Sequence, residues 1–123
     1  NAMPVELAKL AKEAGLTVIV FTNLAQSSQI TSRHPSGKNL HEFAELVIDN
    51  CGAWGDAGYD IGEGIMMGSS STIIGSFLAQ SLSILVASKI KNLGLDVPVF
   101  RSSNLDNADD YNLELMRKFC RLF

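Results

Sequence analysis

The chain has 123 residues, 46% of them hydrophobic, and its 10 basic and 13 acidic side chains leave a net charge of −3. That length allows one domain at most, and the apolar fraction argues against disorder. Arg33, Lys38, Lys89 and Lys91 are scattered, so nucleic acid would meet no basic patch. Cys51 and Cys120 are far apart and have no His or Cys neighbour at metal-ligand spacing. They read as small core or surface residues in a reducing cytoplasm, and neither a metal nor a cofactor is expected.

In chain order, residues 4–14 place Val5, Leu7, Ala8, Leu10, Ala11 and Ala14 at helical spacing, with Pro4 in the first turn and Gly15 as the stop. Residues 17–22 (TVIVFT) form a nearly continuous β-branched run, the pattern of a strand buried on both faces of a parallel sheet. A polar, Ser-rich loop follows over residues 23–37, closed by Pro35 and Gly37. Asn39 then caps a short helix to Ala44, which leads into a second buried strand at residues 46–49. Residues 51–64 are Gly-rich and irregular, and Tyr59, Ile61, Ile65 and Met67 suggest a small hairpin.

Residues 69–72 (SSST) open a long helix to about Asn92, stopped by Gly94. Its most apolar stretch, residues 73–90, is interrupted by Gly75, Gln80 and four serines and falls short of the roughly 20 residues of a membrane span, so a buried core helix is expected and no membrane. Residues 97–101 read as a third strand. Asn107 or Asp109 caps a last amphipathic helix carrying Leu113, Leu115, Met116, Phe119 and Leu122. This alternation predicts an α/β fold: a partial doubly wound α-β-α sandwich with a parallel sheet of about three core strands. Three strands are few for such a sheet, so another segment or chain is expected to complete it.

Ligands of open parallel sheets bind beyond the carboxyl ends of the strands. The segments there are polar. Ser70, Ser71 and Thr72 open the longest helix, where free N–H groups, the helix dipole and hydroxyls suit either an anion or an ordinary N-cap. Residues 32–38 (SRHPSGK) gather Arg33 and Lys38 as oxyanion contacts and His34 as an acid or base, or else form a solvated loop. His41, on the short helix, reads as structural or solvated. Arg101 and Asn104 lie in a polar strand end that could equally cap the last helix. Glu63 is a lone carboxylate in the Gly-rich loop, and Trp54 and Tyr59 either line a sugar site or pack the hairpin. A Walker loop and a dinucleotide fingerprint are absent.

Residues 31–40 (TSRHPSGKNL), 47–56 (VIDNCGAWGD), 70–72 (SST) and 98–104 (PVFRSSN) together resemble the bacterial sugar isomerase (SIS) domain proteins, in a branch labelled phosphoheptose isomerase or sugar isomerase. The resemblance implies a parallel-sheet sandwich that binds phosphosugars and dimerises. It implies sugar-phosphate contacts at Ser70, Ser71 and Thr72 and gives no settled role to the motifs of Arg33, His34, Lys38, Arg101 and Asn104. It also matches Asn1–Glu6 (NAMPVE) to a helix that follows the family's second phosphate loop, so all 123 residues are expected to be the C-terminal part of one such domain. Asn1-Ala2 could alternatively be an expression-tag remnant. The expected activity is aldose–ketose isomerisation of a sugar phosphate, with His34 as the base and Glu63 second. The alternatives are a non-catalytic sugar-phosphate binding or regulatory module, and an inactive truncated protein. Self-association as a dimer or higher oligomer is expected in each case.

Overall fold

The computed structural model describes residues 2–120. The expectations for Asn1 and Leu122 lie outside them. The elements in chain order are helix α1 (Ala2–Glu13), strand β1 (Ile19–Thr22), a one-turn helix α2 (Leu24–Ser27), a 3-10 turn (Leu40–Phe43), strands β2 (Leu46–Asp49), β3 (Ala57–Asp60) and β4 (Met66–Ser69), and helices α3 (Ser70–Asn92) and α4 (Ala108–Phe119). The fold is α/β, as the alternation of elements predicts. The chain divides into two compact units, one through Ser81 and one from Leu82, and the division falls within α3.

In the first unit β1 and β2 form a parallel pair with Val20 opposite Val47 and Phe21 opposite Ile48. Val5 and Ala8 of α1 are buried together with Val18 and Val20. Ala11, Leu40, Phe43 and Ala44 pack against Ala8, Val18 and Val20. Glu45 ties the elements together at the entry to β2: its carboxylate accepts the Val18 N–H at 2.8 Å and also the ammonium of Lys12 at the end of α1. The helix stops where expected. Gly15, at φ +76°, donates its N–H to Lys12 O, and Leu16 N–H reaches back to Ala11 O, a Schellman closure.

Two expectations for the strands need correction. The strands are not buried on both faces. Ile19 and Leu46 are paired neighbours, yet they are 44% and 49% exposed, because helical cover reaches only the Val20 side. The predicted third strand at residues 97–101 does not form. There the Asn112 side chain takes the place of a strand partner, accepting the Arg101 N–H at 2.8 Å and donating to Arg101 O at 2.9 Å. The third and fourth strands are instead β3 and β4, an antiparallel hairpin with Tyr59 opposite Met67, as the pattern of Tyr59, Ile61, Ile65 and Met67 suggests.

The long helix α3 also departs from its expected burial. None of its residues is buried. Ile73, Phe77, Ile84, Leu85 and Val86 are exposed. At 23 residues α3 is long and apolar enough, by length and composition, to cross a membrane. In the second unit Ala108 of α4 is buried, and Lys118 pairs with Asp96 at 2.7 Å.

Two glycines separate conformational need from permissiveness. Gly15→Ala forces a Cβ into a left-handed position and is expected to lower stability by about 1 kcal/mol. Gly75→Ala, inside α3 with open space around its Cα, is expected to raise it by about 0.5–1 kcal/mol. Denaturant titrations of the two variants check this, and effects of the same sign would contradict it.

Candidate functional site

The carboxyl ends of β1 and β2 carry a constellation of amides. Asn23 caps α2: its Oδ1 accepts the Gln26 N–H at 3.0 Å, and its Nδ2 donates to Gly52 O at 2.6 Å. Gln26 turns its Oε1 to the Gly55 N–H at 2.8 Å. Asn50 accepts the Gly52 N–H on its Oδ1 at 3.0 Å. Each of these oxygens faces a backbone N–H, so the amide orientations follow from the partners. The NH2 groups of Gln26 and Asn50 are then left over, with no protein acceptor among the described residues. Asp49 joins the two loops by accepting the N–H groups of Leu24 and Cys51, which hold its carboxyl below the usual carboxylate range, the Cys51 bond being the larger cause. These bonds draw the loop of residues 50–56 into a tight path. Cys51 and Asp56 both take left-handed backbone conformations, at φ 48° and 73°. A Cβ at Gly52 would stand 3.1 Å from the Ser70 hydroxyl.

Together they line an open cavity of about 360 Å³. Thr22, Asn23, Gln26, Asn50 and Asp56 supply polar lining, and Phe21, Ile30 and Leu40 supply apolar wall. No Lys or Arg lines it. A second recess of about 320 Å³ shares Gln26, Ile30, Ser32 and Asn39 with it and adds Arg33. Arg33 is exposed and makes no hydrogen bond or ion pair among the described residues.

The start of α3 already holds an anion. The Asp56 carboxylate accepts the Ser69 hydroxyl at 2.6 Å, the Ser71 N–H at 2.6 Å, the Ser71 hydroxyl at 3.0 Å and the Ser70 hydroxyl at 3.2 Å. Four donors fill both oxygens. The Ser69 hydroxyl first, then the Ser71 N–H, pull the Asp56 carboxyl down to about 2. Thr72 Oγ1 lies 3.0 Å from Ser69 Oγ in the same cluster. The Ser70 and Ser71 hydroxyls, two of the three expected to meet a ligand's phosphate, are therefore turned to an internal carboxylate, although both residues line the cavity.

The remaining predicted residues are dispersed. His34 is buried beside α1 and does not line the cavity. Its Nδ1 accepts from the Ser36 hydroxyl at 2.7 Å and the Ser36 N–H at 3.1 Å. Its Nε2 therefore carries the proton and donates to Glu6 Oε2 at 2.6 Å. Glu63 sits in the β3–β4 turn at φ 56°, outside the cavity lining. Lys38 lies over the Phe43 ring at 5.8 Å. Arg101 and Asn104 belong to the second unit, where the Arg101 guanidinium stacks on Tyr111 at 3.9 Å and the Asn104 N–H reaches Ser102 Oγ at 3.3 Å. His41 is structural as read, with Nδ1 at 2.9 Å from Ser27 Oγ. Trp54 and Tyr59 are exposed. Among the described residues no group of three or more His, Cys, Asp and Glu is placed to hold a metal.

No family profile matches the chain. It is similar instead to curated bacterial proteins. One from Halalkalibacterium halodurans is 41% identical over 122 residues, covering 98% of this chain and 50% of that protein. One from Oceanobacillus iheyensis is 42% identical over 120 residues (97% and 49%), and one from Listeria innocua 38% over 124 residues (97% and 49%). All three are named UPF0309 proteins. That name corrects the resemblance read from the sequence, because neither a sugar isomerase domain nor a phosphoheptose isomerase is indicated by these relatives. The chain spans about half the length of the curated relatives it matches.

The depressed Asp56 carboxyl carries a pH signature. Its folded value of about 2 lies below the ordinary 3.8, so the stability it contributes is present above about pH 4 and is lost as pH falls towards 2. Thermal melting between pH 4 and pH 2 is expected to fall less steeply in Asp56→Asn than in the parent chain. Equal slopes would contradict the capping assignment.

Proposed function

We propose that this chain binds a sugar phosphate, with the sugar in the 360 Å³ cavity and the phosphate in the adjoining recess at Arg33. The observation that carries the reading is the pairing of unspent neutral amide donors with an unpaired guanidinium across two recesses that share four lining residues. A sugar ring offers many hydroxyl oxygens and apolar C–H faces. The NH2 groups of Gln26 and Asn50 and the Thr22 hydroxyl suit the first, and Phe21, Ile30 and Leu40 suit the second. A phosphate needs a charged donor, and Arg33 is the guanidinium within reach of that end.

The binding-module reading is favoured over the isomerase reading. Moving a proton between adjacent carbons needs a base aimed at the substrate. Asp56, the carboxylate on the cavity wall, is saturated with donors and held near 2, a poor proton acceptor. His34 and Glu63 lie outside the lining. Exposed Ile73, Phe77 and Leu85 on α3 support self-association as the way these side chains leave water, and the serines and Gln80 along the helix favour a protein partner over lipid.

Calorimetric titration of the chain with paired phosphorylated and unphosphorylated hexoses and pentoses tests the reading. A phosphorylated member is expected to bind more tightly than its parent sugar. Arg33→Ala is expected to weaken the phosphorylated ligand about 10- to 100-fold while leaving the unphosphorylated one unchanged. Absence of binding by any pair at millimolar concentration, or indifference to Arg33→Ala, would overturn it. Sedimentation at micromolar concentration is expected to show a dimer or larger species, and a monomer would count against self-association.

A further inference from the structure

We propose that Ser36 is an activated nucleophile, with His34 as its general base and Glu6 as the positioning carboxylate, able to accept an acyl group from small activated esters. The case rests on a relay that stands apart from the sugar cavity. Ser36 Oγ is 2.7 Å from His34 Nδ1, and His34 Nε2 is 2.6 Å from Glu6 Oε2. The order of groups is that of a nucleophile, a base within hydrogen-bond reach and a third group that orients the base.

Burial of the imidazole keeps it in one pose, while Ser36 itself is exposed and open to a small electrophile. The tautomer is the productive one. The Ser36 N–H also donates to Nδ1, so Nδ1 is an acceptor and Nε2–H points at the carboxylate. Glu6 is well prepared to stay ionised: its carboxyl is lowered chiefly by the His34 bond, with Lys9 3.7 Å away. The Lys38 N–H lies 3.2 Å from Ser36 Oγ, where it can stabilise the alkoxide as the proton departs. Gly37, at φ +70°, gives the turn that brings Lys38 back to Ser36.

In the reaction, the Ser36 Oγ–H proton passes to Nδ1 as Oγ bonds to the ester carbonyl carbon. The carbon–alkoxy bond breaks, and the leaving alkoxide takes the proton from Nδ1. A water molecule then gives its proton to Nδ1 and its oxygen to the acyl carbon. The carboxylic acid leaves, and the proton returns to Ser36 Oγ. The transient imidazolium is stabilised by Glu6.

The test uses the whole chain with an alkyl fluorophosphonate, which forms an Oγ–phosphorus bond and releases fluoride, and with p-nitrophenyl acetate. Intact mass and peptide mapping are expected to find one phosphonyl group on Ser36, and none on Ser36→Ala. His34→Gln is expected to slow labelling and release of p-nitrophenol by about 100-fold. Glu6→Gln preserves an acceptor for Nε2–H. A purely structural Glu6 would therefore leave the rate unchanged, whereas loss of the charge is expected to slow it with an unaltered melting temperature. Circular dichroism of each variant separates slow labelling from unfolding. No adduct on the parent chain, an adduct elsewhere than Ser36, or folded His34→Gln reacting at the parent rate would overturn the proposal.

Discussion

The junction between the β3–β4 hairpin and α3, with the cavity wall beside it, is built around the Asp56 carboxylate. Asp56 ends the loop that leaves β2, stands at the start of the β3–β4 hairpin and caps α3. Its four donors come from three consecutive serines, so the strand-to-helix junction at residues 69–71 is folded around one anion. The left-handed backbone of Asp56 aims the carboxylate there, a conformational cost offset by four hydrogen bonds made to a charge. Ser70 carries the constraint further. Its hydroxyl also accepts the Ala53 N–H, which fixes the rear of the cavity to the helix.

From that constraint follows the character of the cavity. The strongest anion-binding feature of the fold is satisfied internally, and the space beside it keeps neutral donors. Backbone N–H groups consume the oxygens of Gln26 and Asn50, and the NH2 groups of these two cavity-lining residues remain unspent. Positive charge enters only at the edge, through Arg33. A ligand with a neutral polyhydroxylated body and one anionic end fits this distribution better than a compact dianion does.

Much of this was legible from the residues alone. The periodicity of residues 4–14, the β-branched runs at 17–22 and 46–49, the hairpin pattern and the long helix all appear where local rules put them. Tertiary context decided the rest. Residues 97–101 have strand composition, but a side-chain amide from α4 takes both backbone hydrogen bonds of Arg101 in place of a strand partner. Apolar runs signalled burial for Ile19, Leu46 and α3, while composition says nothing of whether another surface is there to cover them. At the site, Ser70, Ser71 and Thr72 were recognisable as a helix start with anion chemistry, yet the anion proved to be Asp56, fourteen residues before Ser70 in the sequence. Gln26 and Asn50 gave no motif. Their usefulness arises from which of their atoms the backbone leaves unused, a property of the fold and not of residue type. The sequence marks His34 as the chemical centre of its loop, and it does stand at the centre of a hydrogen-bond relay, but one directed to Glu6 and Ser36 and not to the cavity.

The central claim, that spare amides and Arg33 together receive one ligand, is tested most directly by nitrogen-15 NMR of the side-chain signals during titration with a sugar phosphate. The account predicts that the Gln26 and Asn50 NH2 resonances and the Arg33 Nε–H resonance shift together with one dissociation constant, while the Ser71 amide stays with Asp56. Shifts confined to Ser70, Ser71 and Thr72, with the Gln26, Asn50 and Arg33 signals unmoved, would contradict it.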